Sequence, residues 1–145
     1  MESKQLTALQ RLDNLSYQSK IEQFPNLPIK AIPRTKYSDG SANDLTKCVI
    51  DFVRLKGHYA TRIQSQGQKR GNVMTFGTTQ KGTADAHICI NSIHISCEIK
   101  YGKDRQSDAQ KQVQKEVESS GGIYLLIRNF EQFYKFYCEF QNLAY

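Results

Sequence analysis

Two carboxylates and a lysine stand out in the stretch GTADAHICINSIHISCEIKYGKDRQSDAQ, residues 82–110. If AHICIN and IHISCEIK form a hairpin across Asn91-Ser92, then Ile90 faces Ile93, Ile88 faces Ile95 and Ala86 faces Cys97. Asp85 then falls directly opposite Glu98. The two-residue period of a strand puts Ala86, Ile88, Ile90, Ile93, Ile95, Cys97 and Ile99 on one apolar face. The other face carries Asp85, His87, His94, Ser96, Glu98 and Lys100. Carboxylates facing each other with Cβ atoms roughly 5 Å apart repel, so a positive charge belongs between them. Lys100 supplies part of it, and a hard divalent cation, Mg²⁺ or Mn²⁺, supplies the rest through oxygen ligands. Such a cation lowers the pKa of a water bound to it. The competing reading of the same residues is a solvated Asp–Lys–Glu network on a sheet.

The elements that must hold these residues follow from periodicity. Leu6, Leu9, Leu12, Tyr17, Ile21 and Phe24 predict a helix over residues 4–24. PNLPIKAIPRTKYSDGS, with three prolines and no period, predicts a linker or extended arm. A second helix begins near Ser41 to Asn43, carries Leu45, Cys48, Val49 and Phe52 on one stripe and stops at Gly57. HYATRIQS and VMTFG predict strands joined by the basic loop QGQKRGN. SDAQKQVQKEVESS predicts a capped helix with Ala109, Val113 and Val117 inward, IYLLIR a buried strand, and FEQFYKFYCEF a final aromatic helix. The helical spacing of Phe130, Phe133, Tyr134 and Tyr137 favours core packing or a dimer face over base stacking.

The chain has 145 residues, 39% apolar and 23% charged, which suits one globular domain. No apolar run nears the ~18 residues of a membrane span, and MESKQLTALQRLDN lacks a signal-peptide core, so a cytoplasmic location without membrane contact is expected. The four cysteines, Cys48, Cys89, Cys97 and Cys138, show no CxxC spacing and read as small apolar residues. His87, His94 and Cys89 share the polar face, but they lack a zinc-family spacing and strand histidines usually only hydrogen-bond. The net charge is +6, and between Phe52 and Ala84 there is no Asp or Glu, while Arg54, Lys56, Arg62, Lys69, Arg70 and Lys81 all fall there. A polyanion is the natural partner of that segment.

KGTADAHICI, SCEIKYGKDRQSDAQ and GGIYLLI, in that order, resemble the virus-type replication-repair nuclease (VRR-NUC) domain. That domain belongs to the PD-(D/E)xK nuclease superfamily, with Holliday-junction resolvases and many restriction enzymes. The resemblance covers roughly residues 41–137. It implies a restriction-endonuclease-like α/β core, a central mixed β-sheet flanked by helices, in residues 41–145, with residues 1–40 an extra N-terminal helix and arm. It also implies that Asp85 and Glu98 are acidic metal ligands, that the carbonyl of Ile99 is a third, that Lys100 is the catalytic lysine and that Gln110 is the glutamine of the following helix. Where the family places a glutamate on its first core helix, this chain has Asn43 with Asp44 beside it. That departure leaves a further site acid in question.

On this reading the chain is a Mg²⁺- or Mn²⁺-dependent DNA endonuclease, selective for branched DNA of Holliday-junction or flap type and acting in repair or recombination. Arg62, Gln64, Lys69, Arg70, Lys81, Lys103 and Arg105, on both sides of the acidic pair, are the candidate nucleic-acid contacts. A homodimer is expected, since symmetric resolution of a junction needs two cuts and two-fold dimers are the commonest oligomers. The leucine-spaced first helix would supply the interface unless it folds back on its own domain. The alternative function is a catalytically degenerate nucleic-acid-binding module of the same fold.

Overall fold

The structure, a computed structural model, describes residues 5–64, 69–74, 77 and 79–143, with the backbone alone of 69 and 70. It is α/β: the described residues form four α-helices, a mixed four-stranded sheet and a two-stranded ribbon, in two compact units.

The described parts of Met1–Gly57 and Asn129–Tyr145 make the helical unit. Helix α1, Ala8–Gln23, starts one turn later than the leucine spacing predicts, because Thr7 and Gln10 close a capping box there. Its buried face is Ala8, Leu12 and Ser16, while Leu6 and Phe24 stay exposed beyond its ends. That face packs on α2, Ala42–Leu55, and α4, Phe130–Leu143, so the chain itself covers it. The proline-containing segment lies along these helices rather than free of them. Asp13 accepts a hydrogen bond from the Tyr37 amide (2.7 Å), and Lys20 Nζ donates to Pro33 O (3.1 Å) and Thr35 Oγ1 (2.6 Å). Ser41 caps α2 as expected, accepting from the Asp44 amide. The stripe on α2 points Phe52 into a cage of Phe130, Phe133, Tyr134 and Tyr137, all edge-on with ring centroids 4.9 to 6.2 Å away. The aromatic stripe of the last helix is therefore core.

The second unit, His58–Arg128, holds the sheet. Its strands are β1 Tyr59–Arg62, β4 Ala86–Ile90, β5 Ile93–Ile99 and β6 Ile123–Ile127, in the order β1-β4-β5-β6. A separate short ribbon, β2 Lys69–Arg70 with β3 Val73–Met74, is all that the described residues show of the basic loop and VMTFG; the rest of both lies outside the described residues. The β4–β5 hairpin has the expected register, Ala86 with Cys97, Ile88 with Ile95 and Ile90 with Ile93. Its turn residues both adopt positive φ, 50° at Asn91 and 66° at Ser92, as a tight hairpin with native twist requires. Ala86, Ile88, Ile90, Ile95, Cys97 and Ile99 are buried on the apolar face, and only Ile93, at the turn, is exposed. Each fully buried isoleucine contributes roughly 1.5–3 kcal/mol.

β5 pairs parallel with β6, and the connection between them carries helix α3, Asp108–Ser119. Val113 and Val117 of α3 pack on Ala84 and Tyr124, and Tyr124 stands beside Ser96 on the polar face. This helix explains why the polar face is not solvated along its length: Ser96, Glu98 and Lys100 are buried beneath it.

Candidate active site

Asp85 sits at the end of β4, held by the strand on each side. Its carbonyl accepts from the Ile63 amide (2.8 Å) just past β1, and its Oδ2 accepts from the Ile99 amide of β5 (2.8 Å). In an extended strand the N–H and C=O of one residue point to the same side, so the Ile99 carbonyl also faces Asp85. Lys100, one residue on, turns its amide the other way, to Ile127 O on β6 (2.9 Å).

Glu98 and Lys100 are only 2% and 8% exposed, and such burial demands partners for both charges. Lys100 Nζ lies 2.9 Å from Glu98 Oε1 and donates to Gln110 Oε1, also at 2.9 Å. Gln110 Nε2 donates to the same Glu98 Oε1. The Gln110 side chain is held by a local motif, since Ser107 and Gln110 form the capping box of α3, with the Ser107 amide donating to Gln110 Oε1 (2.9 Å). One amide thus caps a helix and joins the carboxylate to the lysine. Gly82 allows the helix this close: its φ is +88°, and a Cβ there would stand 2.5 Å from the Ala109 carbonyl carbon and oxygen and 2.8 Å from the Gln110 amide.

Two buried side-chain oxygens lack a partner among the described residues, Glu98 Oε2 and the Tyr124 hydroxyl. Burial holds the Glu98 carboxyl above the usual carboxylate range, the Lys100 hydrogen bond opposes that, and the charge of Asp85 adds to it. The same two carboxylates reach their neighbours. Burial and then Glu98 push the Tyr124 phenol up to about 12, and burial and then Asp85 raise the Cys97 thiol.

The donor set fits a hard cation in type: two carboxylates on adjacent strands, a carbonyl facing them, and a buried oxygen lacking a donor. It is sparse in number. Among the described residues no three His, Cys, Asp or Glu side chains converge on one point, at the acidic pair or elsewhere. That includes His87, His94 and Cys89, of which the two histidines pack edge-on (5.1 Å between centroids), His94 Nε2 meets Ser96 Oγ at 2.9 Å, and Cys89 is exposed.

The remaining candidates lie on other elements. Asn43 is exposed in the first turn of α2, in the helical unit, next to Asp44, whose Oδ2 accepts from Ser41 Oγ (2.7 Å). Arg62 pairs with Ala86, so the register assigns it to the sheet face opposite Asp85 and Glu98. Gln64 is exposed just beyond β1, and its carbonyl accepts from Thr79 Oγ1 (3.4 Å). Lys81 is exposed in the turn that ends at Gly82, and Lys103 and Arg105 are exposed on the loop between β5 and α3. The side chains of Lys69 and Arg70 lie outside the described residues. Arg128 belongs to no motif, yet its guanidinium donates to the carbonyls of Gly102 (3.3 Å) and Asp104 (3.1 Å) and so shapes the loop carrying Lys103 and Arg105. No signal in the sequence pairs residues 26 and 24 positions apart in this way.

Comparison with protein-family models and with curated proteins finds no match for this chain.

Proposed function

We propose that the chain is a metal-dependent DNA endonuclease with a restriction-endonuclease-like core of the VRR-NUC kind. The observation that carries this reading is the buried Glu98, with one oxygen bound by Lys100 and Gln110 and the other without a partner, next to Asp85 on the adjacent strand. A purely structural ion pair has no reason to keep a bare carboxylate oxygen in the interior, since leaving a buried acceptor unmade costs about 1–3 kcal/mol.

In this mechanism Asp85, Glu98 and the carbonyl of Ile99 hold Mg²⁺ or Mn²⁺. Such an ion, when bound, supplies an activated water and neutralises charge on the phosphate. Lys100 spends two of its three N–H donors on Glu98 and Gln110, which aims the third at the reacting group and stabilises negative charge developing there. Gln110 fixes the lysine in that orientation. Lys81, Lys103 and Arg105 contact phosphates of the DNA, with Lys69, Arg70 and Gln64 as further contacts, and Asn43 is the residue that matches the family's first-helix acid in sequence. Branched DNA as substrate, a homodimer as the working form and the cytoplasm as its compartment belong to the same reading.

The test is incubation with labelled four-way junction, flap and linear duplex DNA, with Mn²⁺ and with chelator. Cleavage that needs the cation and is lost in Asp85→Ala and Glu98→Ala, with DNA binding kept, is the expected result. Full cutting by either variant would refute the site. The second reading, a nucleic-acid-binding module without activity, is favoured by the lack of a third converging acid among the described residues, and a wild type that binds every substrate but cuts none would establish it.

A further inference from the structure

The polar sheet face does not end at the carboxylates. His87 and Ser96 each lie two residues from a site carboxylate on the same face, about 7 Å along the strand, and His94 follows. There the sheet and α3 enclose an open pocket of about 390 Å³, at the small end of the range for ligand sites, roughly 300–1,000 Å³. Its floor is the edge-on pair of imidazoles with Ser96, and Val113 and Val117 form an apolar wall. Thr83, Gln80 and Glu116 are among its other lining residues. No Lys or Arg lines it among the described residues, and its one charged group is a carboxylate, so it suits neither a phosphate nor any other anion. Thr83 Oγ1 already donates to Gln80 O (2.7 Å), Gln80 Nε2 donates to Glu116 Oε2 (3.0 Å) and Ser96 Oγ meets His94 Nε2 (2.9 Å), so the flat rings and the apolar wall define the ligand, and they suit a neutral, planar one.

We propose that this pocket receives one unstacked nucleobase of the DNA strand whose phosphate lies at Asp85 and Glu98. The step from carboxylates to pocket is comparable with the reach from a phosphate to the base on its own sugar. The inference rests on the nuclease reading and sharpens it: the substrate carries an unpaired nucleotide at the cut, as at a flap or branch point, rather than continuous duplex.

The chain has three histidines, His58, His87 and His94, so ring resonances offer a direct readout that needs no cleavage. The metal-free chain of 145 residues is titrated with a single-stranded thymidine pentamer and with the same pentamer made abasic at every sugar. The expected result is movement of the His87 and His94 resonances, with His58 still, only for the base-bearing pentamer. His94→Ala, a change at an exposed side chain, weakens that binding by about tenfold, within the range for loss of one base–ring contact, and leaves the abasic affinity unchanged. Equal shifts with both pentamers, no shift of His87 and His94, or equal weakening of both by His94→Ala overturns the pocket. Absence of DNA cleavage in Mn²⁺ counts against the nuclease reading, and the titration then still decides whether a base is bound.

Discussion

Replacing Gly82 by alanine tests the packing of the site without touching a charged residue. The new Cβ would lie 2.5 Å from the Ala109 carbonyl carbon and oxygen, where ordinary contact begins near 3.4 Å, so the first turn of α3 must retreat by about 0.9 Å. All three close atoms are backbone, and no side chain can swing away to make room. Overpacking of this kind costs about 1–3 kcal/mol, and an alanine held at φ near +88° adds roughly 1–2 kcal/mol. A total near 2–5 kcal/mol follows, large against the 5–15 kcal/mol of a typical domain. The same retreat would lengthen the 2.9 Å contact between Gln110 and Lys100 beyond hydrogen-bonding range. Gly57→Ala is the control, because Gly57 has φ +83° with nothing within 4 Å of its would-be Cβ, so it carries the strain without the clash. Denaturant unfolding of both variants, with Mn²⁺-dependent cleavage alongside, separates the terms. Gly82→Ala is expected to lose at least 1 kcal/mol more than Gly57→Ala and, if the proposed nuclease activity holds, most of the cleavage rate. Equal stability of the two variants would refute the close approach of the Gly82 turn to α3.

Glu98 sets a pH dependence whose sign follows from its raised pKa: the folded state holds the proton more tightly than the unfolded chain, so stability falls as pH rises from the ordinary carboxylate value through the raised one. Melting in chelator from pH 4 to pH 8 should therefore show Glu98→Gln gaining on wild type as pH rises, and a constant difference would contradict it. Phe52→Ala removes the ring at the centre of the aromatic cage and should cost about 3–5 kcal/mol in denaturant unfolding; a loss under 1 kcal/mol would mean that the cage is not packed. If the basic ribbon meets DNA, a Lys69→Ala, Arg70→Ala double variant should reduce the slope of log affinity against log salt by about two, one per phosphate contact, and an unchanged slope would move the binding surface elsewhere. Sedimentation at micromolar concentration tests the dimer, and a monomer with and without DNA would remove it.

Much of this fold could be read from local pattern. The hairpin register followed from strict alternation between Ala86 and Ile99, because a slip of one residue would have sent a whole row of isoleucines to the polar face. Helix α2 followed from Ser41 and its stripe, and the proximity of Asp85, Glu98, Lys100 and Gln110 followed from the hairpin and from family resemblance. Other features depend on distant partners. Leucine spacing drew α1 too early because leucines outnumber the alanine and serine that lie on its buried face, and the decisive mark, Thr7 with Gln10, is a cap rather than a stripe. Arg62 looked like a neighbour of the acidic pair, but the pairing of β1 with β4 puts it on the other face, and strand pairing across 24 residues leaves no local trace. The burial of the polar face beneath α3 was likewise hidden, since alternation alone describes a sheet with one side in water.

The Gln110 side chain has its carbonyl engaged by the Ser107 amide and the Lys100 ammonium, and its NH₂ by Glu98. Opening of the first turn of α3 and release of Glu98 are consequently a single motion. Anything that draws the carboxylate away takes one of the contacts that keep the helix end closed, and anything that frays the helix end loosens the carboxylate. Amide hydrogen exchange at Ser107, Gln110 and Lys111 would therefore report on the state of that carboxylate, and a ligand that captures Glu98 would register in solution as a faster-exchanging helix start.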